Sequence, residues 1–167
     1  MNHNLLKEQL FELKVIMPIM SEEGGNYTEL YFDQSCEEEA CLRLKKKCST
    51  VISHIAQNIY FDISSFRREY SETFNRKTGM PLALHPGLVL IPLKVREAEY
   101  KDQGTVCYVN IIKIKYMKMI DASKTAIIFH DDMQIDVLQS LDSVVKLKNI
   151  ASMIRYHHFE SYKKYLH

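Results

Sequence analysis

The chain has 167 residues, the size of one domain, which excludes a long multidomain enzyme. With 46% hydrophobic and 26% charged residues, five glycines and four prolines, it has a globular composition with little room for linkers, and a chain of this size holds a core without metal or disulfide. Its net charge of +1 conceals a split: residues 1–42 carry nine acids against two bases, a balance of −7, and residues 43–167 carry 20 bases against 12 acids, a balance of +8. Such asymmetry points to two regions with different partners or to two ends that screen each other, and two solvated faces of unlike charge explain it equally well.

Residues 12–19 place Leu13, Val15 and Met17 on alternate positions and predict a strand with Pro18 near its end. The polar stretch 21–26, with Gly24 and Gly25, reads as a turn into a partner strand over 27–32, so a hairpin is expected. Residues 35–47 run from three glutamates to three lysines through Cys41, Leu42 and Leu44. They fit either an acidic turn followed by a short strand or a helix with dipole-compatible charges. Ser49 or Thr50 is placed to cap a helix whose apolar positions Val51, Ile52, Ile55, Ala56 and Ile59 follow the 3.6-residue period. A second helix is predicted from Asp62 or Ser64, with Phe66, Tyr70 and Phe74 at intervals of four and residues 75–79 ending it.

The second half reads as strands over 81–84, 88–93, 105–115 and 125–129, with His130, Asp131 and Asp132 as a tight turn into a strand over 133–138. Pro86 and Pro92 point to short or edge strands, and residues 94–104 form the longest polar loop. Residues 140–166 predict one long helix, or two with a break at His157 and His158. The expected fold is a single α+β domain over residues 1–167, with a mainly antiparallel sheet, a helical insertion at about 48–74 and a C-terminal helix.

Signals of chemistry are sparse. Cys36, Cys41 and Cys48 leave four and six residues between thiols, only just within and then beyond the spacing of a zinc knuckle, so idle thiols are the expectation. Cys107 falls within an apolar strand, where a thiolate is poorly stabilised. No Gly-Xaa-Ser-Xaa-Gly elbow, phosphate-cradling glycine loop or helix with paired zinc ligands occurs. A turn explains His130, Asp131 and Asp132, and a helix C-terminus suits His157 and His158 without a ligand role. The chain is therefore expected to be no enzyme and to use no cofactor or metal. With no export signal and no membrane-length apolar stretch, a cytoplasmic protein with reduced thiols and no membrane partner is expected.

The cations are more suggestive. Lys113, Lys115 and Met117 are predicted to share one side of a strand-like run, with Ile112, Ile114 and Tyr116 on the other. Arg67, Arg68, Arg76 and Lys77 make a second cluster, and Lys146, Lys148 and Arg155 a third. Phosphate binding needs cations on a common surface, because neutralising phosphates releases counterions; solvated faces explain the bare pattern equally well.

From residue 12 to residue 159 the order of features resembles the competence transcription factor (ComK) family of Gram-positive bacteria. The resemblance is carried by the strand-turn-strand over 13–32, the Cys-containing helix and aromatic over 48–60, and the basic stretch over 66–77. It continues through Met80-Pro81-Leu82-Ala83-Leu84, an apolar strand reaching Pro92, Cys107-Tyr108-Val109, a strand pair around a short turn over 126–138, and Ala151-Ser152-Met153-Ile154-Arg155. The sequence departs from the family's pattern at Ile91-Pro92-Leu93, at Tyr108 where a Trp is usual, at Asp131-Asp132 in place of an Asn-Gly turn, and at Asn149 in place of an Arg, which marks a divergent member.

The resemblance implies a transcription regulator, an activator of competence-type genes that binds A/T-rich boxes of double-stranded promoter DNA largely through the minor groove. It also implies a homo-oligomer on paired sites and an adaptor that delivers the protein to a Clp-type protease. Lysines and arginines read the width and potential of the minor groove without a recognition helix, which suits a chain with no clean helix-turn-helix. Arg67, Arg68, Arg76 and Lys77 are the expected phosphate or groove contacts, with Lys113, Lys115, Lys118 and Arg155 next. The alternative is a protein-binding regulator or adaptor without DNA binding, whose working surface is the acidic N-terminal segment.

Overall fold

A computed structural model describes residues 9–33, 41–164 and 166. The chain begins with β1 (Leu13–Met20), β2 (Asn26–Phe32) and β3 (Cys41–Leu44), followed by helices α1 (Cys48–Asn58) and α2 (Ile63–Thr73). Six further strands follow: β4 (Leu82–His85), β5 (Leu88–Lys94), β6 (Val106–Asn110), β7 (Ile114–Asp121), β8 (Lys124–Phe129) and β9 (Gln134–Val137). Helix α3 (Leu141–Lys163) comes last. Strands β1 to β6 form one sheet in the order β3-β2-β1-β6-β5-β4, and β7-β8-β9 form a second. Every pairing is antiparallel, so the architecture is α+β with the expected helical insertion and C-terminal helix.

The β1–β2 hairpin turns through Gly24 and Gly25, whose φ values of 77° and 129° lie where side chains are strained. Strand β1 lies inside the sheet between β2 and β6, and Leu13, Lys14, Val15 and Ile16 are all buried. Burial on both faces hides the usual polar alternation. Lys14 is the exception to this apolar run, and its ammonium donates to the Asp131 carboxylate in the turn after β8. Residues 41–44 take the strand alternative; Cys36 and the rest of 34–40 lie outside the described residues.

Helix α1 starts at Cys48, before the predicted caps Ser49 and Thr50, with Lys47 at the N-cap position and no side-chain cap. Thr28 sets this entry point: its hydroxyl donates to the Lys46 carbonyl at 2.7 Å and contacts the Cys48 sulfur at 3.4 Å. Helix α2 begins as predicted, since Asp62 Oδ1 accepts from the Ser65 N–H at 3.0 Å and Oδ2 from the Ser65 hydroxyl at 2.8 Å. Phe66 and Tyr70, four apart, face inward.

The predicted strand over 105–115 is two strands separated by a 3-10 turn, Ile111–Lys113. Asn110 makes the break. Fully buried, it donates to the Leu13 and Gly87 carbonyls at 2.9 and 3.1 Å and accepts from the N–H groups of Val89 and Ile112 at 3.2 and 3.3 Å. The chain thereby leaves the first sheet for the second. A register shift between Ile114 and Tyr116 then overturns the predicted sides of this run. Ile114 is buried and Met117 packs on the core, whereas Lys115, Tyr116 and Lys118 are exposed.

Pro92 also departs from expectation, because β5 is an interior strand of seven residues. Pairing with β4 stops at Leu90, however, so at Pro92 only the β6 flank has a strand neighbour and the missing N–H is tolerated. Helix α3 passes His157 and His158 without a break. It buries Val144, Leu147, Ala151 and Ile154 at helical spacing. Its far end meets α2, where the Tyr70 hydroxyl lies 3.0 Å from His157 Nδ1 and the His158 and Phe66 rings meet edge-on at 5.2 Å. No helix among the described residues is long and apolar enough to cross a membrane.

Candidate nucleic-acid interface

The floor of the candidate site is set by strand register. Pro92 of β5 and Tyr108 of β6 are paired residues, so their side chains stand side by side on one face of the first sheet. Helix α2 brings Arg67 and Ser71, four residues apart, to one wall of a cleft of 290 Å³ above this floor. Lys77 and Thr78 come from the loop after α2 and form the other wall.

That loop is closed by its own backbone and by Arg76. Asn75 at φ 47° and Gly79 at φ 66° reverse the chain, and the Arg76 N–H returns to the Ser71 carbonyl at 3.0 Å. Arg76 Nε donates to the carbonyls of Thr78 and Gly79 at 3.1 and 3.2 Å. Arg76 therefore acts first as a brace that presents Lys77 and Thr78.

Arg67 and Lys77 are exposed, and among the described residues neither has an ion-pair or hydrogen-bond partner. The hydroxyls of Ser71, Thr78 and Tyr108 likewise have no hydrogen-bond partner among the described residues. Among the described residues no carboxylate lines the cleft. Burial pushes the Tyr108 phenol above its ordinary value, against the opposing pull of the Arg67 charge, so the hydroxyl stays a neutral donor. Two cations and three hydroxyl-bearing side chains thus line one concavity, with no partner for their polar groups among the described residues. The Tyr108 ring also borders a second cleft of 180 Å³, lined by Pro18, Lys47, Cys48 and Gly104.

The other cations expected at the site do not line the cleft. Arg68 is exposed on α2, about 100° around the helix from Arg67, with Nη2 3.4 Å from the Ser65 hydroxyl. Lys113 is held between Glu12 and Asp33 at 3.3 and 2.7 Å, and its side chain is 15% exposed, so it is committed to the fold. Lys115 pairs with Asp132 at 3.0 Å in the open, and Lys118 is exposed on β7. Arg155 Nε donates to the Pro86 carbonyl at 2.7 Å and ties α3 to the β4–β5 turn. Sequence reasoning missed Ser71, Thr78 and Tyr108 as cleft residues, because nothing in local spacing marks a hydroxyl as unpartnered.

Burial pushes the Cys48 and Cys107 thiols above their ordinary value, which opposes a nucleophile at either position. Among the described residues no three His, Cys, Asp or Glu side chains gather as a metal site. No family model matches the chain, and neither a curated protein nor a solved structure does.

Proposed function

We propose that this chain is a DNA-binding transcription regulator, an activator of competence-type genes, that meets A/T-rich duplex through the minor groove at the Arg67–Lys77 cleft. One observation carries the reading: among the described residues, two cations without partners border a cleft that no carboxylate lines. An internal carboxylate would hold such cations in place, whereas free ones remain available to phosphates and to the negative potential of a narrow groove. Arg68 on the same helix extends the positive surface.

Three of the nine carboxylates of the acidic N-terminal segment are already engaged within the fold. Glu12 and Asp33 are paired with Lys113, and Glu29 with Arg43 at 2.6 Å, so these carboxylates already have partners. Homo-oligomerisation on paired boxes, and delivery by an adaptor to a Clp-type protease, belong to the same proposal through the competence-factor resemblance.

Fluorescence anisotropy with an A/T-rich duplex across a salt series tests the reading. Affinity is expected to fall steeply with salt, by about 0.9 log units per log unit of salt for each phosphate neutralised, and to be weaker for a G/C-rich duplex. Binding no tighter than that of a neutral control protein would reject it.

A further inference from the structure

The geometry points to the Arg67–Lys77 cleft as a seat for one phosphodiester group, with the Tyr108 hydroxyl as a neutral donor at its floor. The inference rests on the DNA-binding reading only for the source of the phosphate. Its own basis is the donor set: the residues lining the cleft carry a guanidinium, an ammonium and three hydroxyls, none of which has a partner among the described residues. A carboxylate ligand offers two oxygens to this set, whereas a phosphodiester offers two non-bridging oxygens that share one negative charge and two bridging ester oxygens as well. A cationic ligand is disfavoured because no carboxylate among the described residues lines the cleft to receive it.

The cleft is also more than an ion pocket. Pro92, Met80 and the Tyr108 ring give it an apolar side, which suits the deoxyribose carried next to a backbone phosphate. Arg67 and Lys77 approach from two separate elements, a helix and a braced loop, so a phosphate between them would bridge α2 to the loop that follows it. Because Tyr108 is uncharged, its contribution differs in kind from that of the cations: it adds a hydrogen bond without releasing a counterion.

Two titrations on the full chain decide the matter. In the first, inorganic phosphate is added at constant ionic strength against a chloride control, followed by amide NMR. Saturable shifts at Ser71, Thr78 and Gly79 that Arg67→Ala abolishes are expected; shifts elsewhere, or none beyond the chloride control, would overturn the seat. In the second, duplex DNA and a deoxynucleoside monophosphate are compared by competition for wild type, Arg67→Ala and Tyr108→Phe.

Tyr108→Phe keeps the ring and is expected to weaken duplex binding roughly tenfold with the salt slope unchanged, while Arg67→Ala lowers the slope by about one. Full affinity in Tyr108→Phe would remove the hydroxyl from the seat. A mononucleotide that competes as well as a duplex would overturn the backbone as the phosphate's source. Phosphate shifts in the cleft without any duplex binding would uphold the seat and reject the DNA-binding reading; duplex binding without them would do the reverse.

Discussion

Replacing Asp131 by Asn removes the only charged partner, among the described residues, of an ammonium sunk in the first sheet, and the expected cost is large. The Lys14 side chain is 3% exposed and that of Asp131 16%, so each member of the pair lacks most of its contact with water. Breaking such a pair from one side costs about 3–5 kcal/mol, because the remaining charge stays buried without compensation. Against a typical domain stability of about 5–15 kcal/mol this is about a fifth of the total or more. The two single substitutions are not equivalent. Asp131→Asn strands the deeper charge, which also lies over the Phe129 ring, 5.9 Å from its centroid. Lys14→Met leaves a carboxylate that still accepts the Met133 N–H at 3.2 Å and has some access to water, so it should cost less.

The double variant, with a thioether facing an amide, should recover much of the loss, leaving a coupling energy of about 2–3 kcal/mol. Urea denaturation followed by circular dichroism at neutral pH gives the cycle. Losses below about 1 kcal/mol that simply add would show that the pair is solvated and refute the reasoning. Acid provides a second reading of the same contact. Burial tends to raise the Asp131 carboxyl, but the Lys14 hydrogen bond, the Met133 N–H and the Lys14 charge together hold it below its ordinary value. Its contribution is therefore present in full above the ordinary carboxylate range near pH 4 and lost as pH falls below it. In the Asp131→Asn variant that part of the acid transition should be missing.

Asp62→Ala removes the cap of α2 and should cost about 1 kcal/mol in thermal or urea unfolding, with Ser65→Ala milder because the backbone N–H bond survives; an unchanged midpoint would deny Asp62 that role. His158 gives the opposite end of α3 a pH signature. Burial among Phe61, Phe66, Tyr70 and Phe159 pushes its imidazole below the ordinary value, with nearby Glu69 opposing and His157 adding to the shift. A histidine depressed in the folded state stabilises fully above its unfolded value of about 6.5 and loses that contribution as pH falls through it. The melting temperature should drop between pH 7.5 and pH 5.5, and less so in His158→Phe; equal slopes would place the titration elsewhere.

Local signals in the sequence located the β1–β2 hairpin, the Asp62-capped helix and the turn at 130–132, because each rests on neighbouring residues: two glycines, a cap with its apolar ladder, and two turn-forming aspartates. The break at 111–113 depends instead on Asn110, whose four bonds reach Leu13, Gly87, Val89 and Ile112. Isoleucines on both sides of it read as continuous strand, and no local pattern reveals a buried amide used as a hub. Cation counts had the same weakness. Lys14 and Lys113 are consumed by carboxylates from distant strands and turns, Arg76 and Arg155 bond to backbone carbonyls, and only the folded chain separates these from Arg67 and Lys77. The −7 and +8 balances are thus partly spent on each other, through Lys113 with Glu12 and Asp33 and through Arg43 with Glu29.

The most direct test compares the salt dependence of A/T-rich duplex binding in Arg67→Ala/Lys77→Ala with that in Lys115→Ala/Lys118→Ala. If the cleft is the DNA contact, the first variant weakens binding and lowers the slope by about two, while the second, altered on the separate β7 surface, keeps most of both. A wild-type slope and affinity in the cleft variant, or their loss in the β7 variant alone, would contradict it.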